Sequence, residues 1–356
     1  MAFPHFQKPF KSLKYTITSG VIIIAGLFVN LEIDDRAQAI VVSGDPNDYI
    51  VNPGNGFDGV VSLSLQTSLG RFLCSGSLLP SGRHILTAAH CLTDNFGFNI
   101  TNGATAFFDL PTGKFGIKTA NIFIYPDWDG FADFDSFGGD LAILELASAA
   151  PEAAQRYDIY RNTDEIGQVS TKVGYGLSGQ GNQGFNPRQY PFGVKRSGQN
   201  VYEFLGENLD PGVLPNAILL YDFDSGSPEN DAFGFVGIPD LGLGLSEVNT
   251  AAGDSGGPTF INGLIAGVTS YGQCFFNTIN FECFSPPDVD NIGNFSFGEF
   301  SGDTRVSTYA SYIDDVLAGK VTPTSKVPEP NTMFALFTFA ALAVSSRFKR
   351  KAKEKV

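Results

Sequence analysis

Three short motifs hold most of the chemistry this 356-residue chain can do. "LTAAHC" ends in His90 and Cys91, "GGDLAILEL" carries Asp140 at the head of an apolar run, and "GDSGGP" sets Ser255 among glycines. Nucleophilic hydrolysis needs such a set: a hydroxyl to attack, an imidazole to take its proton, and a carboxylate to fix the tautomer and stabilise the imidazolium. Each residue alone says little, and the three together say much.

Chain order narrows the choice. "GDSGG" also satisfies G-x-S-x-G, the nucleophile elbow of another hydrolase architecture, where the histidine follows the serine. The histidines here are His5, His84 and His90, all ahead of Ser255, so the elbow reading fails. An acid-first order, with Asp45, Asp48 or Asp58 before the histidine, belongs to folds with alternating helices, for which the pattern gives no support. What remains is histidine, then aspartate, then serine. His84, six residues before His90, reads as a surface or packing histidine.

The elements that must position these residues are strands. Short apolar and β-branched runs recur between residues 59 and 320: "GVVSLSL", "RHILTAA", "ATAFFDL", "NIFIYP", "LAILEL", "STKVGYG", "AILLYDF" and "LIAGVTSYG". Clusters of Gly, Asn, Asp and Pro separate them, as in an all-β barrel or sandwich. The clearest helical pattern is "RVSTYASYIDDVLAG", which puts Val306, Tyr309, Ile313, Val316 and Leu317 on one face and a stop at Gly319. Two poorly patterned stretches, 176–193 and 224–244, read as long surface loops.

Both ends differ from the middle. Residues 1–39 run from Lys8, Lys11 and Lys14 through an apolar stretch to Ala37-Gln38-Ala39, the order of a signal peptide that signal peptidase would cut after Ala39. Residues 320–331 read as a linker. Residues 332–356 hold an apolar stretch and a basic tail with Arg347, Lys349, Arg350, Lys351, Lys353 and Lys355, an arrangement that keeps the C-terminus cytoplasmic and the middle outside. With Val327 to Pro330 ahead of it, this tail resembles the PEP-CTERM sorting signal, which implies an exosortase-type sorting enzyme as partner, a transient membrane anchor and a final place at the bacterial cell surface or beyond.

Net charge is −14, and 10 of the 23 basic residues lie at the two ends, so the middle is more acidic still and repels nucleic acid and anionic lipid. Four cysteines in an exported chain suggest two disulfides. Of three pairings, nearness in sequence favours Cys74 with Cys91 and Cys274 with Cys283.

Residues 40 to about 318 resemble the trypsin-like, chymotrypsin-fold serine proteases. "CSGSLLPSGRHILTAAHC", "GGDLAILEL", "GDSGGP" and "GVTSYG" stand in that family's order, while the loops between them match poorly. The resemblance implies two six-stranded antiparallel β-barrels with a C-terminal helix, spanning 40–319, and a monomeric endopeptidase acting on proteins or peptides. It makes His90 the general base, Asp140 its orienter and Ser255 the nucleophile, with backbone amides of Gly253 and Ser255 as oxyanion hole. It matches Cys74 and Cys91 to the family's disulfide beside the histidine, and Ser270, Tyr271 and Gly272 to the strand that holds substrate backbone. It also gives the opening of the exported chain a task. In this family a freed Ile-Val terminus pairs with the carboxylate just before the nucleophile. Here these are Ile40 and Asp254, so export itself would activate the enzyme, although Val42-Ser43 replaces the family's Gly-Gly.

By register, Asn249 lies at the base of the primary pocket, where a neutral amide cannot balance Arg or Lys. The usual cysteine of that loop is replaced by Ala251. No cofactor is implied. The acidic stretches 222–231 and 288–294 offer oxygens of the kind Ca2+ takes, but neither has the spacing of a known calcium loop, and both read as solvated turns. Two rivals stand beside the protease: a catalytically inactive surface or matrix binding protein, and an esterase on the same fold.

Overall fold

The computed structural model describes residues 40–68, 70–131, 137–277 and 279–326. The expected signal peptide and the apolar segment with its basic tail lie outside those residues. Among the described residues no helix is long and apolar enough to cross a membrane.

The first half is a closed barrel. Its strands are Val60–Thr67, Gly70–Leu78, His84–Thr87, Thr101–Leu110, Gly113–Ile124 and Ala142–Leu146. The last two also pair with each other, with Phe123 opposite Ile143, and this joins the ends of the sheet. The reason is legible in the pleat: along Thr101–Leu110, Ala104, Ala106, Phe108 and Leu110 are buried while the residues between them are not. Closure removes the edges that an open sheet would leave unpaired.

The second half is a curled sheet of seven strands, in the order Arg196–Val201, Val169–Gly174, Pro258–Ile261, Leu264–Gln273, Phe300–Arg305, Ile218–Asp222 and Phe204–Leu205. Among the described residues no ladder joins its two ends. The all-β, two-barrel expectation therefore holds, with the second barrel curled where the first is closed. The predicted helix forms as a 3-10 turn, Val306–Tyr309, followed by Ala310–Leu317. Val306, Tyr309, Ile313 and Val316 are buried, and Gly319 ends the run at φ +69°.

A third, small sheet was not expected. Ile40–Val42 inserts between Ser178–Gln180, to which it is parallel, and Val248–Asn249, to which it is antiparallel. The stretch 176–193 is thus no free surface loop: Leu177, Ser178 and Tyr190 are buried in it. Within the stretch read as a linker, Ser325 and Lys326 add a strand to the first barrel opposite Ile122 and Asn121.

Both cysteine pairs form as expected, Cys74 with Cys91 and Cys274 with Cys283.

Candidate active site

His90 follows the strand His84–Thr87, and Asp140 precedes the strand Ala142–Leu146, its partner in the ladder. Strand pairing therefore brings the two residues together. Asp140 is fully buried. Its Oδ1 accepts the backbone N–H of His90 at 2.8 Å, and its Oδ2 lies 2.7 Å from His90 Nδ1. Since an ionised carboxylate only accepts, this contact requires the proton on Nδ1 and leaves Nε2 free as a base.

Ser270 adds a donor that the sequence reading assigned elsewhere. Its hydroxyl reaches the same Asp140 Oδ2 at 2.5 Å, and Thr304 Oγ1 donates to the Asp140 carbonyl at 2.9 Å. Both come from the second half, so the carboxylate is satisfied from both sides of the molecule.

Ser255 sits on the loop leading into Pro258–Ile261. Gly253 has φ +96° and Gly256 φ +78°. At Gly256 a Cβ would fall on Thr87 Oγ1 and the Ser75 carbonyl, so only glycine lets the loop approach the first barrel this closely. Ser75 then fastens it. Its N–H donates to the Ser255 carbonyl at 2.8 Å, and its hydroxyl donates to the Gly253 carbonyl at 2.9 Å while accepting the Tyr175 N–H at 2.9 Å. The Cys74–Cys91 disulfide ties the neighbour of Ser75 to the neighbour of His90, and Cys91 Sγ lies 3.7 Å from the Ser255 carbonyl. Ser255 and His90 make no direct hydrogen bond; such contacts often tighten only once substrate is bound.

Asp254 is almost wholly buried beneath the same loop. Its Oδ1 accepts from Gly176 N at 2.8 Å, and its Oδ2 accepts from Ala251 N at 2.9 Å and Ile40 N at 3.3 Å. Burial pushes its carboxyl up to about 7, against the pull of these three N–H groups and of the Arg196 guanidinium. Arg196 is itself buried, with Nε donating to the Pro46 carbonyl at 2.6 Å and both terminal nitrogens unpaired. Ile40 has φ +67°, a strained conformation for a β-branched residue, and its carbonyl accepts from the Ser178 hydroxyl. The backbone N–H of Ile40, a peptide amide here, thus lies against Asp254, 214 residues away in sequence.

Asn249 is buried in the small sheet opposite Val41. Its Oδ1 accepts from Ser301 Oγ at 2.7 Å and from Thr250 N at 2.9 Å, and its Nδ2 has no partner. The strand Leu264–Gln273 pairs with Pro258–Ile261 only as far as Val268, but with Phe300–Arg305 as far as Gln273. Ser270, Tyr271 and Gly272 therefore lie where one edge of the strand has lost its neighbour. Beside His90 runs a chain of rings, with Phe131 at 5.4 Å from His90, Trp128 at 5.0 Å and Phe137 at 5.4 Å from Phe131, and Tyr271 at 5.1 Å from Phe137.

His84 packs as expected, its Nδ1 2.8 Å from Ser81 Oγ. The contacts of Ser75, Arg196, Ser301 and the Ser270 side chain were missed. Nothing in a single sequence marks a small hydroxyl whose partner lies on a distant loop. One reading is overturned: the acidic stretch 222–231 is not a set of solvated turns, because Asp222, Asp224 and Asp231 are buried. The cover comes from tertiary packing, which composition does not reveal. Cys74, His90 and Cys91 also cluster, but the cysteines are bonded to each other and cannot serve as thiolate ligands.

The trypsin family model matches residues 51–200, less than half of the chain, a span that holds His90 and Asp140 and stops short of Ser255. Curated relatives include a trypsin of Saccharopolyspora erythraea, 25% identical over 61% of this chain and 82% of its own length. Brachyurin of Leptuca pugilator is 26% identical over 56% of this chain and 76% of its own length. A thrombin-like enzyme of Gloydius ussuriensis is 24% identical over 82% and 93%. Among solved structures, mouse neuropsin, a serine protease, superposes with a TM-score of 0.51 at 16% identity, covering 76% of this chain and 98% of its own. At that identity the likeness establishes the chymotrypsin-like fold. The sequence relatives support a trypsin-like serine protease.

Proposed function

We propose that this chain is an exported serine endopeptidase of the trypsin-like family, working through His90, Asp140 and Ser255 and an acyl-enzyme intermediate. The observation that carries the reading is the 2.7 Å contact between His90 Nδ1 and a buried Asp140 carboxylate. It orients Nε2 as the base that takes the Ser255 proton and later returns it to the leaving amine. Backbone N–H groups of Gly253 and Ser255 stabilise the tetrahedral oxyanion, each donor contributing about 3 kcal/mol in the transition state. The unpaired strand edge at Ser270 to Gly272 accepts the substrate backbone as an added strand.

Activation follows from the Ile40–Asp254 contact. Cleavage after Ala39 converts the Ile40 amide into an ammonium with a pKa near 8. A buried carboxylate then gains a full charge as partner, and losing such a partner costs about 3–5 kcal/mol, enough to order or release the loop that carries Gly253 and Ser255. Asn249 makes the primary pocket neutral, so the enzyme cleaves after neutral or apolar residues and not after Arg or Lys. The two disulfides suit an oxidising compartment, and export, sorting by an exosortase-type enzyme through 327–356, and monomeric action complete the reading.

The test is active-site labelling of the chain produced with a native Ile40 terminus, using a fluorophosphonate probe and Ser255→Ala as control. Close to one label per chain, absent from the control, is the expected result; an unlabelled chain overturns the catalytic reading in favour of a binding protein. Turnover of esters without peptides would make the chain an esterase.

A further inference from the structure

The strand Ile218–Asp222 ends in a run that folds back on itself through Asp224 and a 3-10 turn, Pro228–Asn230, to Asp231, which caps Ala232–Phe235. Side-chain oxygens of Asp222, Asp224 and Asp231 lie within 4.8 Å of one another. All three residues are buried, with exposures of 0%, 0% and 3%. Asp222 Oδ2 accepts the Phe233 N–H at 3.1 Å, and Asp231 Oδ1 accepts the Gly234 N–H. The remaining oxygens differ: Asp222 Oδ1 and both oxygens of Asp224 are buried with no hydrogen-bond partner. An acidic side chain with no exposure and neither oxygen paired is a rare feature in a folded protein.

The surroundings deepen the imbalance. Glu203 abuts Asp222, and its Oε2 is also buried and unpaired. Glu247 Oε2 accepts the Asp224 N–H at 3.0 Å, and its Oε1 accepts from Leu243 N at 2.7 Å. The charges that bear most on these groups are other carboxylates, with no lysine or arginine among them. A proton shared between Glu203 and Asp222 pairs those two side chains, but it supplies no donor to either oxygen of Asp224.

We propose that Asp222, Asp224 and Asp231 form a Ca2+ site. The donor set is all oxygen and strongly anionic, and it contains none of the imidazole or thiolate ligands that softer metals select. Oxygens about 2.3–2.6 Å from a shared ion stand up to roughly 5 Å apart, which fits the spread of these side chains. The unpaired oxygens of Asp222 and Asp224 become ligands, and Glu203 Oε2 stands by as a further one. Through the Asp224 N–H and Glu247, the ion braces the residues leading into Val248–Asn249, the strand that pairs with Val41 and Val42. Ca2+ therefore supports the seat of the Ile40 strand from below.

The test uses the full chain carrying Ser255→Ala to prevent self-digestion, freed of metal by chelator and dialysis. Equilibrium dialysis with radioactive calcium and thermal unfolding in millimolar CaCl2 or MgCl2 are then run in parallel. We expect one Ca2+ per chain and a rise in melting temperature that Mg2+ does not reproduce. Asp224→Asn should lose both responses while melting no lower than the parent in chelator, because its amide can donate to a neighbouring carboxylate where the Asp224 oxygens have no partner. If that variant fails to fold, Asp231→Asn is expected to behave in the same way. A parent chain that retains no Ca2+, or variants that bind it undiminished, would overturn the assignment.

Discussion

Ser270 and His90 share one oxygen of Asp140: the serine hydroxyl donates to Oδ2 at 2.5 Å, and the imidazole Nδ1 lies 2.7 Å from the same atom. Ser270 comes from the second half of the molecule and His90 from the first, so the carboxylate registers the two halves against each other. Removing the hydroxyl leaves the carboxylate held by His90 alone, through its backbone N–H and Nδ1. A hydrogen bond to a charged group contributes about 1.5–3 kcal/mol, so Ser270→Ala should lower kcat roughly 10- to 100-fold. Peptide kinetics would check this, and the loss should fall on kcat with KM little changed. Unaltered kcat would leave Ser270 as packing alone.

Ser75 has a different task, since it touches neither His90 nor Asp140. Its hydroxyl joins the Gly253 carbonyl to the Tyr175 N–H, both in buried surroundings. Ser75→Ala strands two backbone groups, and we expect a loss of about 1–3 kcal/mol in unfolding free energy together with a lower kcat. Denaturant melts beside initial rates would separate the two effects. A variant as stable as the parent would mean that water replaces the hydroxyl.

Asp254 offers a pH signature with a definite sign. In the uncut chain Ile40 N is an amide, and burial pushes the Asp254 carboxyl to about 7 from an ordinary 3.8. A folded pKa above the unfolded one means that the native state holds the proton more tightly. Its stabilisation is complete below about pH 4 and is lost as pH rises through about 7. Cleavage before Ile40 supplies an ammonium, which favours the carboxylate and brings its pKa down, so the loss through neutral pH disappears until that amine loses its own proton above about pH 8. Relative to its own Asp254→Asn variant, the uncut chain should therefore lose melting temperature from about pH 4 to about pH 7, and that loss should be absent once the chain begins at Ile40. Parallel profiles would show that the terminus does not reach Asp254.

What the sequence revealed and what it hid have physical causes. The contact of His90 with Asp140 could be anticipated because each sits in a short motif at a strand end, and the Ser255 loop because its glycines constrain it locally. The first barrel was legible because a half-buried strand alternates, as Ala104, Ala106, Phe108 and Leu110 do. The sheet around Ile40 was hidden because Ser178 and Gly179 pack by being small, and small residues give no periodic signal. Asp222 and Asp224 were misread for the opposite reason: acidic, glycine-rich composition usually means solvent, and only the fold decides that these side chains are covered.

On the proposed function, specificity would turn on an amide with one hand free. Asn249 Oδ1 is held by Ser301 Oγ and the Thr250 N–H, while its Nδ2 is buried without a partner. A bound side chain that brings an acceptor, such as the carbonyl of Gln or Asn, can satisfy that donor, whereas a guanidinium or ammonium brings only further donors into a site with no balancing charge. A peptide library should therefore show neutral residues preferred at the cleaved position, those with an acceptor among the best, and Arg and Lys disfavoured. Asn249→Asp should shift the preference toward Lys and Arg, because the new carboxylate supplies the missing charge where the Ser301 hydroxyl can still donate to it. A parent enzyme that already prefers Arg would refute the placement of Asn249 at the base of the pocket. An Asn249→Asp enzyme that stays active with unchanged preference would mean that the side chain is structural and never meets the substrate.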